Sequence, residues 1–218
     1  MDDLTDIFDD SRVEEEVEEL TAEEVLAKLQ EAWINEKNSP ELLEPKMEIV
    51  ECMLEQISTM NDNLETLAKG DIRISLHKME LSRIRFLINS YLRTRLDKIQ
   101  NNFYFYSQGT ADNPSKLSKE ESEFLAKYQE SVGELFHTLC LRHLPGSFDL
   151  GKTGIKPPQP NFQSAVFIKV LQDIDGLEIR DGAGAGRDET IDLEVGEQHL
   201  VQYSSVSHLV EGGAVRLS

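Results

Sequence analysis

The sequence has little cysteine, little basic charge and no long apolar run. Two cysteines, Cys52 and Cys140, stand far apart in 218 residues. That excludes a small disulfide-stapled fold, and without a CxxC pair or Cys/His cluster it excludes a zinc module. Each cysteine sits in an apolar pattern, so both read as reduced core residues of a nuclear or cytosolic protein. Lys and Arg number 22 against 41 Asp and Glu, a net charge of −19. Free-standing nucleic-acid binders need cations to displace counterions from phosphate, so strong autonomous DNA binding is not expected. No run approaches the ~20 apolar residues of a membrane helix. The start lacks the basic opening and apolar core of a signal peptide, and no membrane association is expected. What is present, 39% hydrophobic and 29% charged residues, is ordinary for a folded soluble chain.

The charge is uneven. Residues 1–24 hold twelve acids against the single base Arg12, so they carry −11 of the −19. Residues 1–20 form an acidic head in which Leu4, Ile7 and Phe8 cluster among aspartates. It reads either as a solvated tail or as a short motif that folds onto a partner groove. Helices follow over 21–144. Thr21 with Glu24 spells a capping box, and Val25, Leu26, Leu29, Ala32 and Trp33 recur at three and four. Ser39-Pro40 predicts a short helical turn ending at Pro45. A second long helix runs from about Met47, with Gly70 as its stop, and a third from about Asp71 to about Phe105. Some 35 residues of helix reach roughly 50 Å, more than a small globule buries by itself. Ser118 with Glu121 opens the last helix, ending near His143.

Four of the seven prolines fall between 145 and 160, so 145–161 reads as a semi-extended linker. Over 162–218 the apolar period shortens to two. Strands are predicted at 165–171 and 177–180, a hairpin around Gly196 from 190–195 and 199–203, and a last strand at 215–217. The fold class is α+β: an α-helical bundle domain, a linker, and a β-rich domain too small to stand alone.

No catalytic, cofactor or metal site emerges. Gly182-Ala183-Gly184-Ala185-Gly186 follows a charged strand, lacks the GKS/T ending and opens no helix, so it reads as a hairpin loop. Glu134 and His137 form one E-x-x-H pair on the last helix, while His77 and Glu80 run in reverse order; a di-iron bundle needs two such pairs and two more glutamates. A metal-carrying helical-bundle enzyme using Glu134 and His137 is kept as the contrasting alternative. The third helix concentrates Lys69, Arg73, Lys78, Arg83, Arg85, Arg93, Arg95 and Lys98. This basic ridge reads as a solvated face, a protein interface or a phosphate contact. Trp33 reads as core or as an interface anchor.

Long segments resemble one family in order. EAWINEKNSPELL (31–43), KMEIVECMLEQI (46–57) and SLHKMELSRIRFLINSYLRTRLDKI (75–99) are similar to the helical domain of the Sld-five family of eukaryotic GINS subunits. TIDLEVGEQHLVQY (190–203) and LVEGGAVRL (209–217) resemble its β domain. The resemblance implies a non-enzymatic nuclear subunit of a heterotetramer with three Psf-type GINS subunits. That tetramer joins the MCM ring and a RecJ-like companion in the replicative helicase, needed for initiation of DNA replication and fork progression, and helps load a leading-strand polymerase. With the basic ridge it places Trp33, Arg83, Arg85, Tyr91, Arg93 and Arg95 on or near subunit contacts. Leu4, Ile7 and Phe8 are similar to a peptide by which family members dock on a trimeric replisome hub.

Overall fold

A computed structural model describes residues 21–66, 71–107, 116–143, 158–179 and 189–218. The acidic head, Gly70, the Gly182–Gly186 loop and most of the linker lie outside the described residues.

Helix α1 spans Ala22–Asn38 and starts at the expected box: Thr21 N–H donates to Glu24 (2.8 Å) and Glu24 N–H to the Thr21 hydroxyl (3.3 Å). Helix α2 is Met47–Thr66 and α3 is Ile72–Asn101, capped by Asp71. The three pack through Val25 and Leu29 of α1, Val50, Met53 and Ile57 of α2, and Leu81, Ile84, Leu87, Ile88 and Tyr91 of α3. The predicted third helix breaks at Asn102, and a short α4 (Phe103–Ser107) re-aims Phe103 and Tyr106 onto a second core with Leu42, Ile99 and Leu125. Helix α5 is Lys119–Leu139, with the expected Ser118/Glu121 box, followed by one 3₁₀ turn at Leu141–His143. Cys140 caps α5 and is exposed, contrary to its reading as a core residue, and its neighbours Phe136 and Leu139 are exposed too.

Ser39-Pro40 does not open a helix. The chain from Ser39 to Lys46 is irregular, buried at Ser39, Glu41 and Leu42, because its polar groups find side chains instead of helical partners.

Beyond Pro158 lie β1 (Ala165–Val170), β2 (Ile174–Ile179), β3 (Glu189–Leu193), β4 (Gln198–Gln202), α6 (Tyr203–Glu211) and β5 (Val215–Leu217). Strand order is β4-β1-β5, all antiparallel, beside a separate β2–β3 pair. The expected hairpin around Gly196 therefore does not form: β3 pairs with β2, and β4 with β1. Gly196, at φ 93°, turns the chain from one sheet to the other, donating to the Val170 carbonyl at 2.9 Å. A side chain would be strained there. Helix α6 is an addition to the expected strands; Tyr203, Val206 and Val210 bury its inner face against Ile168, Val170, Val215 and Leu217.

The β module leans on the helices. Leu43 packs against its core, and the Leu217 N–H donates to the Asn35 side chain at 2.9 Å. Phe162 meets Phe105 with centroids 6.4 Å apart. Leu29 is fully buried where α1 meets α2 and α3. Leu29→Ala is expected to cost about 3 kcal/mol through lost contacts and a residual cavity, read as a lower urea midpoint at unchanged slope. A loss under about 1 kcal/mol would mean that α1 is not integral to the bundle.

Candidate subunit interfaces

The densest polar chemistry is internal. Arg95 on α3 has no exposed side-chain surface, and all five of its N–H donors are used. Nε and Nη2 fork onto Glu121 of α5 (2.7 and 2.9 Å), and Nη1 reaches Glu36 of α1 (3.0 Å). Nη1 also meets the Leu43 carbonyl and Nη2 the Lys116 carbonyl, each at 2.8 Å. One turn on, the Lys98 ammonium meets the Glu36 carboxylate (2.8 Å), the Glu41 carbonyl (2.7 Å) and the Glu36 carbonyl. Glu41 accepts from Lys116 (3.0 Å) and from the Tyr203 hydroxyl (2.8 Å), and Lys116 also binds Glu211 (2.7 Å). The cluster thus reaches from α1 through α3 and α5 into α6.

Burial opposes the Arg95 charge, but the bonds to Glu121 and the field of Glu36 outweigh it and raise its pKa above the usual value. Lys98 is lowered by burial, with Glu36 offsetting part of the effect. Burial raises the phenols of Tyr91, Tyr106 and Tyr203, that of Tyr106 to about 12.

These contacts take Arg95 and Lys98 out of the basic ridge and leave Arg73, Lys78, Arg83, Arg85 and Arg93 on the surface. Arg95 is interior, contrary to its expected place on or near a subunit contact, because four segments supply it with two carboxylates and two carbonyls. Tyr91 is also interior, its hydroxyl accepting from the Lys46 N–H at 3.2 Å. Arg73 is held by Asp71 and Arg83 by Glu80. Among the described residues Arg85 meets only the Asn61 side-chain carbonyl, at 3.4 Å, and Arg93 is exposed. Trp33 is half-buried; its indole N–H donates to Ser90 (2.9 Å), and its ring meets Phe86 edge-on at 6.3 Å. Leu4, Ile7 and Phe8 lie outside the described residues.

Two uncovered apolar faces take the ridge's place. On α3, Ile72 (75% exposed), Leu76, Met79 and Phe86 follow helical spacing along a stripe roughly 130° from the buried one, at 3.6 residues per turn. On α5, burial is confined to Glu121 and Leu125 near its start, while Leu135, Phe136 and Leu139 (64%) are exposed. Glu134 and His137 are exposed on the same segment, and Glu80 is engaged by Arg83. Among the described residues no three His, Cys, Asp or Glu side chains come together to hold a metal, so the di-iron alternative has no support. No described helix is long and apolar enough to cross a membrane.

Comparison with known proteins fits a chain whose unfinished surfaces are helix faces. The model of the GINS complex protein helical bundle domain matches residues 14–139, and that of the DNA replication complex GINS protein SLD5 C-terminus matches 160–217. The chain belongs to the Sld5 family of GINS proteins. The "DNA replication complex GINS protein SLD5" of Mus musculus is 41% identical over 91% of each chain. That of Xenopus laevis is 39% identical over 95% of this chain and 96% of its own, and that of Arabidopsis thaliana 27% over 87% and 89%. The Sld5 family is one of DNA-replication complex subunits and is not enzymatic. Its helical-domain match covers both open helix faces and every cluster member except Tyr203 and Glu211, which fall within the C-terminal match.

Sequence reasoning missed Glu36, Glu41 and Tyr203, whose partners are 57 to 162 residues away. Glu121 was legible only as a cap; it serves both roles, accepting from Ser118 N–H at 2.9 Å as well as from Arg95. The second face of α3 does have a signal: Ile72, Leu76, Met79 and Phe86 form a three-and-four series offset from the series through Leu81, Ile84, Ile88 and Tyr91.

Arg95→Met is expected to lower stability by about 3–5 kcal/mol, because Glu36 and Glu121 stay buried without their counter-charge. Arg95→Lys should recover little, since one ammonium cannot serve both carboxylates and both carbonyls. Equal stability of wild type and Arg95→Met in urea would refute the cluster's role. Stability should also fall above about pH 10, because the raised phenols keep their protons in the folded chain after the unfolded chain has lost them. Lys98, lowered, acts in the opposite sense, its penalty easing as pH rises. Urea midpoints across this range should decline less steeply for Tyr106→Phe than for wild type.

Proposed function

We propose that this chain is the Sld5 subunit of a GINS heterotetramer, assembled with three Psf-type subunits, and that it works in the nucleus. There the tetramer joins the MCM ring and its RecJ-like companion as part of the replicative helicase, serving initiation and fork progression. Family membership supports the reading. The observation that carries it is the C-terminal half of α5, where Leu135, Phe136 and Leu139 are exposed and find no cover among the described residues. Apolar helix faces of this kind are what subunit association buries. The Ile72–Phe86 face of α3, flanked by Trp33 and interrupted by Arg83, is the second contact, with Arg93 and Arg85 nearby.

Co-expression with the Psf-type subunits and native mass measurement test this. Wild type is expected to give a one-to-one-to-one-to-one complex. Leu135→Glu with Leu139→Glu should reduce its yield about tenfold or more, since each charge is buried unpaired at the contact, while the far-ultraviolet circular dichroism of the isolated chain is unchanged. A full yield from that variant would remove α5 from the interface, and no complex from wild type would reject the tetramer reading. For the head, a labelled peptide of residues 1–16 is expected to saturate the helical domain of the trimeric replisome hub. Loss of binding after Leu4, Ile7 and Phe8 are replaced by Ser would assign the contact, whereas no saturation would refute it.

A further inference from the structure

In the three-stranded sheet Val166, Ile168 and Val170 point into the core, so Phe167 and Lys169 of β1 face away from it. The registers put Phe167 opposite Leu200, and Lys169 opposite Arg216. Paired residues share a face, and their Cβ atoms lie about 5 Å apart. Phe167 and Leu200 are each 59% exposed, and exposed Leu171 and Val195 follow beyond them. The outer face therefore carries an apolar pair beside a cationic pair.

The cationic pair is anomalous. Like charges directly opposite on neighbouring strands repel, and the Arg216 Nε is buried with no hydrogen-bond partner among the described residues. An unmet buried donor costs about 1–3 kcal/mol. Carboxylates of the chain hold Arg73, Arg83, Arg95, Lys98 and Lys116, while Arg85 and Arg93 have none among the described residues but stand singly on a helix. Lys169 and Arg216 receive none among the described residues.

We infer that the outer face of the β4-β1-β5 sheet docks an acidic segment of another protein, its carboxylate taken by Arg216 and Lys169 and a neighbouring apolar side chain by Phe167 and Leu200. A forked guanidinium donor matches a carboxylate. Nucleic acid fits less well, because a polyanion needs a run of cations, and the bounding loops carry Asp173, Glu194 and Glu197. A second copy fits less well too, since a two-fold contact would set the cationic pair against itself. The inference is independent of the tetramer reading, which concerns α3 and α5.

The test is fluorescence anisotropy of a short labelled peptide in which Asp alternates with Leu and Phe, titrated with the purified full chain. Saturable binding is expected, weakened about tenfold, or 1.4 kcal/mol, by K169Q with R216Q. F167S with L200S should weaken it similarly, and Asn in place of Asp in the peptide should abolish it. Circular dichroism of both variants should match wild type. No saturation, or affinity unchanged in either double variant, would overturn the inference. So would tighter binding of a single-stranded oligonucleotide through Lys169 and Arg216, concentration-dependent dimers lost in K169Q/R216Q, or a gain in peptide affinity when Leu4, Ile7 and Phe8 become Ser, which would make the chain's own head the occupant.

Discussion

One guanidinium organises the interior. Arg95 carries a charge out of water, a transfer that is costly unless every donor is matched. Its five donors are matched by α1, α5, the irregular segment after α1 and the approach to α5. None of those segments can shift without exposing an unmet charge, so the cluster fixes geometry more than it supplies net stability. The irregular segment depends on it most. A buried connection must satisfy its backbone groups individually, and here Arg95, Lys98, Tyr91 and Tyr106 meet the Leu43 and Glu41 carbonyls and the Lys46 and Leu42 amides.

What the sequence revealed follows from the range of the forces involved. Capping boxes at Thr21 and Ser118 act over three residues, and both helices begin where those boxes place them. The apolar stripes of α1, α2 and α3 likewise emerge from local period. The hairpin expected around Gly196 does not form because strand partnership is a long-range choice: either sheet satisfies the same alternation, and the turn at Gly196 hands the chain from one to the other. Helix α6 was hidden because Tyr203, Val206 and Val210 follow a strand with no intervening breaker and no side-chain cap. The basic ridge is real at Arg73, Lys78, Arg83, Arg85 and Arg93, which are exposed, and fails at Arg95 and Lys98, which turn inward. A list of cations cannot show which ones fold against their own carboxylates.

Two of the surfaces left open after this internal pairing are apolar helix faces. Helix α3 is oily on two sides, one closed by α1 and α2 and one open, which explains a helix longer than its own domain requires. Among the described residues helix α5 is anchored along its first half, through Glu121, Phe124, Leu125 and Tyr128. A chain built this way is complete at its polar centre and incomplete at its rims, the arrangement suited to a member of a larger assembly.

Glu41 emerges early in synthesis, yet the hydroxyl that completes its shell belongs to Tyr203, 162 residues later. During translation the bundle therefore has its carboxylates and cations in hand while the last donor is still in the ribosome. Contacts closed over such a span form late. The helical half can pair Arg95 with Glu36 and Glu121 before the β module exists, and it gains the Tyr203 hydroxyl on Glu41 only when α6 docks.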